Sequence, residues 1–198
     1  MSRKYKFHNP DGVYFVSSAV QGWVDVFTRN EYKNIIIENL KYCQKNKGME
    51  IFAWCVMTNH IHLITRAEDG HLLQDILRDF KKFTSKAIIK AIEENSLESR
   101  KEWLLQQFKI PEGYRFWRGD NKPIEFWSNK VIDQKIDYLP TAGRHPFQSR
   151  GINQRSNAKR YSTGINPVEE GIVFRAEDYL YSSAADYAGE QGILNVIK

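Results

Sequence analysis

The chain has 198 residues, of which 41% are hydrophobic and 27% charged, with a formal net charge of +5 and a pI of about 9.1. That length supports one domain whose core needs no covalent staples, and no apolar run is long enough to cross a bilayer. The basic balance favours a polyanionic partner, because each phosphate neutralised by Lys or Arg releases counterions. The start, MSRKYKFHNPDG, lacks the apolar stretch of a secretory signal, and the two cysteines, Cys43 and Cys55, lack metal-type spacing and read as free thiols. A cytoplasmic protein is the expectation.

Residues 13–20, VYFVSSAV, are β-rich and predict a first strand. Residues 30–47 predict a helix, with Ile36, Ile37, Leu40 and Cys43 near a helical period and Gly48 closing it. Residues 49–57, MEIFAWCVM, predict a buried strand. Thr58-Asn59 is a turn, and HIHLITR at 60–66 a third strand, so 49–66 reads as a β-hairpin. Residues 71–94 form a long helical pattern whose apolar stripe is Leu73, Ile76, Leu77, Phe80, Phe83, Ala87 and Ile88. Arg78, Lys82, Lys86 and Lys90 recur at every fourth position on another face, with Lys81 beside them. By itself that pattern fits a solvated helix face as well as a phosphate-binding one.

Residues 95–113 are polar and predict irregular structure. FWRGDNKPIEFW, 116–127, predicts a short hairpin around Gly119 and Asn121. Ser128 can cap a helix through NKVIDQKIDYL, with Ile132, Ile136 and Leu139 on one side, which Pro140 stops. Residues 140–165 carry Arg144, Arg150, Arg155, Lys159 and Arg160 and no acid, and read as an exposed basic loop. NPVEEGIV, 166–173, resumes ordered structure. The order β-α-β-β-α-β fits an α+β, ferredoxin-like fold: an antiparallel sheet with helices packed on it, its other face open to a ligand.

His60-Ile61-His62 is the sharpest chemical signal. Alternate side chains of a strand share a face, so both imidazoles point one way and Ile61 the other. Two neutral imidazoles on one face make half of a divalent metal site, or simply a hydrogen-bonded pair. A histidine-triad hydrolase needs a third alternating histidine, but position 64 is Ile. A two-histidine phosphoesterase needs a second His-x-Thr/Ser motif, which is missing. A structural zinc site needs four ligands, and the cysteines are poorly spaced for it.

CVMTNHIHLI, 55–64, resembles the His-hydrophobic-His strand of the IS200-like, single-tyrosine (HUH) transposases, especially the REP-associated tyrosine transposases. The resemblance extends over YFVSSAV, DFKKFTSKAI, FWRGDNKPIEFWSNKVIDQKIDYL and NPVEEGIVFRAEDYLYSSAADY, most of the chain. It implies a ferredoxin-like sheet and a tyrosine that attacks a single-stranded DNA phosphodiester, leaving a 5′-phosphotyrosine and a free 3′-OH. It also implies Mg²⁺ or Mn²⁺ on His60 and His62, and DNA that contains a hairpin. A phenol of pKa ~10 is a poor nucleophile at neutral pH, and a metal at the phosphate stabilises the charge that develops.

In the family a tyrosine-hydrophobic pair is followed closely by Asn-Pro-Val-x-x-Gly. The upstream match ends on Tyr138-Leu139, and the downstream match begins at Asn166-Pro167-Val168. Residues 140–165 therefore read as an insertion in one catalytic domain made of 1–139 and 166–198. Tyr138 is the expected nucleophile and Tyr161 the alternative. One turn after Tyr138 stands Ala142, which cannot ligate, so Asn166 is the expected third ligand and His145 a substitute. The resemblance makes Arg78, Lys81, Lys82, Lys86, Lys90 and the loop residues Arg144, Arg150, Arg155, Lys159 and Arg160 phosphate contacts. Trp117 and Trp127 either stack on bases or belong to the core. Two alternatives stay open: a catalytically impaired single-stranded nucleic-acid-binding protein derived from a transposase, and a metal-dependent phosphoesterase using activated water. A homodimer is compatible with each.

Overall fold

Alternating burial marks the first strand, β1 (Tyr14–Ala19), within the segment that the sequence predicts. The computed structural model describes residues 7–119, 123–126, 167–168 and 170–198. Helix α1 (Asn30–Lys47) buries Ile36, Ile37, Leu40 and Cys43, the predicted stripe. It ends at Gly48, whose φ of 66° is left-handed and whose N–H donates to the Cys43 carbonyl. Glycine takes that conformation without a Cβ penalty, and the His71 ring packs so closely that a Cβ would collide with it.

Strands β2 (Met49–Val56) and β3 (His60–Ala67) form the predicted hairpin. An extra residue in β2, between Ile51 and Ala53, makes a bulge that shifts its register against β3. Helix α2 (Leu73–Glu94) follows. Its stripe departs from expectation most clearly at Phe83, which is 59% exposed while Thr84 takes the inward position, and it extends to Ile89 and Ile92. The Thr84 hydroxyl donates to the Phe80 carbonyl at 2.8 Å and accepts the Trp117 indole N–H at 2.9 Å, so its burial leaves no polar atom unsatisfied.

The stretch expected to be irregular contains helix α3 (Lys101–Phe108), followed by a minimal hairpin of β4 (Lys109–Ile110) and β5 (Gly113–Tyr114). The hairpin expected at 116–127 does not match the described residues there. Trp117 bridges Val20, the Arg118 N–H donates to the Ala19 carbonyl, and β6 (Ile124–Glu125) pairs with Phe15 and Tyr14. Both ends thus run along the same edge of β1. A strand edge with open N–H and C=O groups is a better partner than a local turn, and turn residues alone do not reveal that choice. The helix expected after Ser128 lies outside the described residues.

The sheet order is β2-β3-β1-β6, with every neighbouring pair antiparallel. β3 is inserted between β1 and β2, which α1 joins; this is the split β-α-β arrangement of a ferredoxin-like α+β fold. Val16, Ile61 and Leu63 on one sheet face join Ile36, Leu40, Ile76 and Phe80 of α1 and α2 in the main core. The other face carries a small cluster of Ala53, Ile64 and Phe126, with Phe15 against it. After Gly171 the tail turns through a short helix, α4 (Ala184–Tyr187), and covers the β2 edge. There the Val56 N–H donates to the Tyr181 carbonyl at 2.9 Å and the Ser183 N–H to the Trp54 carbonyl at 3.0 Å. Among the described residues no helix is long and apolar enough to cross a membrane.

Candidate functional site

β3 is an interior strand, so its backbone is fixed from both sides: His60 lies opposite Ala19, and His62 lies between Ser17 and Cys55. Ile61 faces the helices in the main core. The strand's period of two therefore puts both imidazoles on the face away from α1 and α2, as the sequence predicts. Their Nε2 atoms are 3.0 Å apart, with ring planes at 73°. Both residues are buried, at 4% and 5% exposure.

The partners of His60 decide which nitrogen holds its proton. Nδ1–H donates to the Asn59 side-chain oxygen at 2.7 Å. The Asn59 amide in turn donates to an Asp25 carboxylate oxygen at 2.9 Å and to the Trp23 carbonyl at 3.3 Å. With its proton on Nδ1, His60 turns a bare Nε2 toward His62, whose Nε2–H donates to it. Burial pushes the His60 imidazole down to about 4, against the opposing pull of the Asp25 charge, so the ring is neutral at physiological pH. His62 is stacked on Phe15, with centroids 5.2 Å apart.

Two convergent imidazole nitrogens make a ligand pair once His62 carries its proton on Nδ1 instead of Nε2. Adjacent ligands at right angles around an ion with bonds of roughly 2.1 Å stand about 3.0 Å apart, which is the separation observed here. An acceptor behind one ring is the usual support for a metal-binding imidazole. Among the described residues no group of three or more His, Cys, Asp and Glu side chains could hold an ion. The expected third ligand, Asn166, and its substitute, His145, lie outside the described residues. The chain immediately beyond Asn166 is described: Pro167 is buried, and partial desolvation and the nearby Asp25 charge push the Glu170 carboxyl up. Asp25 thus acts on both His60 and Glu170.

The predicted helix cations divide. Arg78, Lys82, Lys86 and Lys90 are exposed. Arg78 is engaged by Asp75 at 2.5 Å and Asp79 at 3.2 Å, and Lys90 by Glu94 at 3.7 Å, so those two belong in part to the helix's own ion pairs. Lys81 and Lys82 instead line an open groove of about 310 Å³ with Ser85, Tyr114, Arg115 and Arg118. Arg115 and Arg118 escape a reading of sequence because they lie where it finds only loop and turn signals. Trp117 is buried in the floor of that groove, so of its two expected roles the structure supports the core one. Tyr138, Tyr161, Ala142, Trp127 and the loop cations Arg144, Arg150, Arg155, Lys159 and Arg160 lie outside the described residues.

Asn59 and Asp25 also escape the sequence reading. Asn59 looks like a turn residue, and Asp25 is distant in the chain from the histidines it serves. The one available signal was an amide immediately before the first histidine.

Known proteins resemble this chain in sequence family and in fold. A family described as "Transposase IS200 like" matches residues 22–124. No curated protein matches the sequence. The solved structure of a REP-associated tyrosine transposase bound to a REP hairpin superposes with a TM-score of 0.60 at 18% identity, over 100% of this chain and 94% of that one. A putative transposase from Deinococcus radiodurans R1 gives a TM-score of 0.42 at 18% identity, over 70% of this chain and 93% of that one. The first likeness concerns the fold, while the family match runs through the histidine strand and the basic helix. The chain belongs to the IS200-like transposase family.

Proposed function

We propose that the protein is a transposase-type DNA transesterase that nicks single-stranded DNA and conserves the bond energy in a covalent link. Tyr138 is the nucleophile, with Tyr161 the alternative. Its Oη attacks the scissile phosphorus, a phosphorus–tyrosine bond forms, and the bond to the 3′ oxygen breaks. The phenol proton ends on the released 3′-OH, so the products are a 5′-phosphotyrosine and a hydroxyl able to reverse the reaction. His60, His62 and Asn166 would hold Mg²⁺ or Mn²⁺, which when bound neutralises charge at the scissile phosphate. The chain's own work is preparatory. Asn59 fixes the His60 proton on Nδ1, burial keeps that ring neutral, and Asp25 orients Asn59. Lys81, Lys82, Lys86 and the loop arginines hold phosphates.

One observation carries this reading: two imidazole nitrogens 3.0 Å apart on the sheet face turned away from α1 and α2, in a chain of this family. Residues 1–139 and 166–198 are read as one HUH-type catalytic unit, with 140–165 inserted. A hairpin-containing substrate is favoured by the solved relative bound to a REP hairpin. A second reading, binding without cleavage, draws on the lack of a third acidic, histidine or cysteine ligand among the described residues.

The test is a hairpin oligonucleotide labelled on either side of its single-stranded flank, incubated with Mn²⁺ and run on a denaturing protein gel. A transesterase leaves label on the protein, and Tyr138→Phe removes it. Cleavage without an adduct would favour the phosphoesterase alternative. A salt-sensitive shift without cleavage would favour the binder.

A further inference from the structure

Between β1 and α1 the backbone makes two consecutive left-handed residues, Gly22 at φ 67° and Trp23 at φ 57°. Glycine accepts this freely. Trp23 does not, and among the described residues it is the only non-glycine with positive φ. Burial does not repay the strain, because Trp23 is 50% exposed. Asn or Gly would sit there more easily, so a purely structural role leaves the choice of tryptophan unexplained.

The surroundings explain it better. The Trp23 ring stands edge-on to His60, with centroids 6.0 Å apart. The Arg118 guanidinium lies 5.2 Å from the indole centroid. The loop is fastened at several points: the Trp23 N–H donates to the Val20 carbonyl at 3.1 Å and the Gln21 N–H to the Phe116 carbonyl at 2.7 Å. The Trp23 carbonyl accepts from the same Asn59 amide that braces His60. The half-exposed indole is therefore held on one bracket with the candidate metal ligand. Arg118 links it to the groove that contains Lys81, Lys82 and Arg115.

We propose that Trp23 is a stacking platform for an unpaired base beside the scissile phosphate, and that the strand's backbone continues past Arg118 into the Lys82–Arg115 groove. This rests on the single-stranded DNA reading above and adds a positioning residue to it. A strained, rigid aromatic costs little further ordering when a base arrives, and every base has a π face to offer.

The test compares an oligothymidylate with an abasic phosphodiester of the same length, since both carry the same charge but only the first can stack. Fluorescence anisotropy gives both affinities, and thermal melting gives fold integrity. Wild type should prefer the oligothymidylate. Trp23→Ala should weaken oligothymidylate binding about tenfold and leave abasic binding unchanged, while Trp23→Phe should retain most of the preference. Trp23→Gly relieves the left-handed strain, so it should melt at or above the wild-type temperature and still lose the preference. If Trp23→Gly keeps wild-type affinity for oligothymidylate, or weakens both probes equally, the platform is refuted and the transesterase reading is untouched. If the wild type binds neither probe, the single-stranded DNA reading fails and the platform falls with it.

Discussion

Ile61 and its two neighbours in β3 lie on opposite faces of one strand and have opposite tasks. Ile61 is packed in the main core with residues of α1 and α2, where apolar contact is all it offers. His60 and His62 are as deeply buried, yet each turns polar ring atoms toward the other, and His60 is braced by Asn59. The difference shows how a strand with a period of two separates stability from chemistry without separating them in sequence. Burial serves both faces, but on one it supplies hydrophobic free energy and on the other it keeps an imidazole uncharged.

The comparison is broken most directly by trading one face against the other. His60→Ala or His62→Ala should lower covalent adduct yield by about a hundredfold or more, the scale of losing a metal ligand, with a modest change in denaturation midpoint. Ile61→Ala should cost about 2–5 kcal/mol in chemical unfolding. Equal destabilisation by all three variants would mean that the two faces do not differ in role.

A second prediction concerns a buried ion-pair cluster. Glu98 is buried and accepts from Arg29 at 2.8 Å, Arg100 at 3.2 Å and the Tyr32 hydroxyl at 3.2 Å. Burial pushes its carboxyl up, but the Arg100 N–H and guanidinium and the Arg29 charge outweigh this and hold it below its ordinary value. Glu98→Gln should therefore destabilise by about 1–2 kcal/mol, because two half-exposed guanidiniums lose a charged partner but remain partly solvated. The wild-type contribution is present above the unfolded glutamate value of roughly 4.3 and is lost as pH falls through the lower folded value. Urea midpoints measured from pH 7 downward should converge for wild type and variant. Midpoints that stay parallel would show that the ion pairs contribute nothing.

Smaller effects sharpen the site itself. Imidazole nitrogens favour Mn²⁺ over Mg²⁺, so adduct formation should be several-fold, about tenfold at most, faster with Mn²⁺ at equal concentration, and chelation should abolish it. The smallest effect belongs to the helix cations. Lys82→Ala should reduce the slope of log affinity against log salt by about one, whereas Arg78→Ala should change it less because Arg78 is already engaged by two aspartates.

The limits of the sequence reading follow the same division. The bounds of α1, its Gly48 stop, the β2–β3 hairpin and the shared face of His60 and His62 are local properties, and periodicity exposes them. Helix α3 stays hidden because only Leu104 and Phe108 are buried in it, too few for a visible stripe. The pairing of Trp117, Ile124 and Glu125 with β1 is a tertiary choice that the Gly119 and Asn121 turn signals conceal. Phe83 looks like core because it is apolar and suitably spaced, yet the buried arc of α2 passes through Thr84. Asn59, Asp25, Arg115, Arg118 and Trp23 come from distant segments and meet only once the chain is folded.

Manganese titrated into the protein and followed by electron paramagnetic resonance addresses the pairing of His60 with His62 most directly. One ion should bind per chain, and either histidine-to-alanine change should release it while the fold survives. Binding that is absent in the wild type, or unchanged in both variants, would contradict the assignment of these rings as ligands.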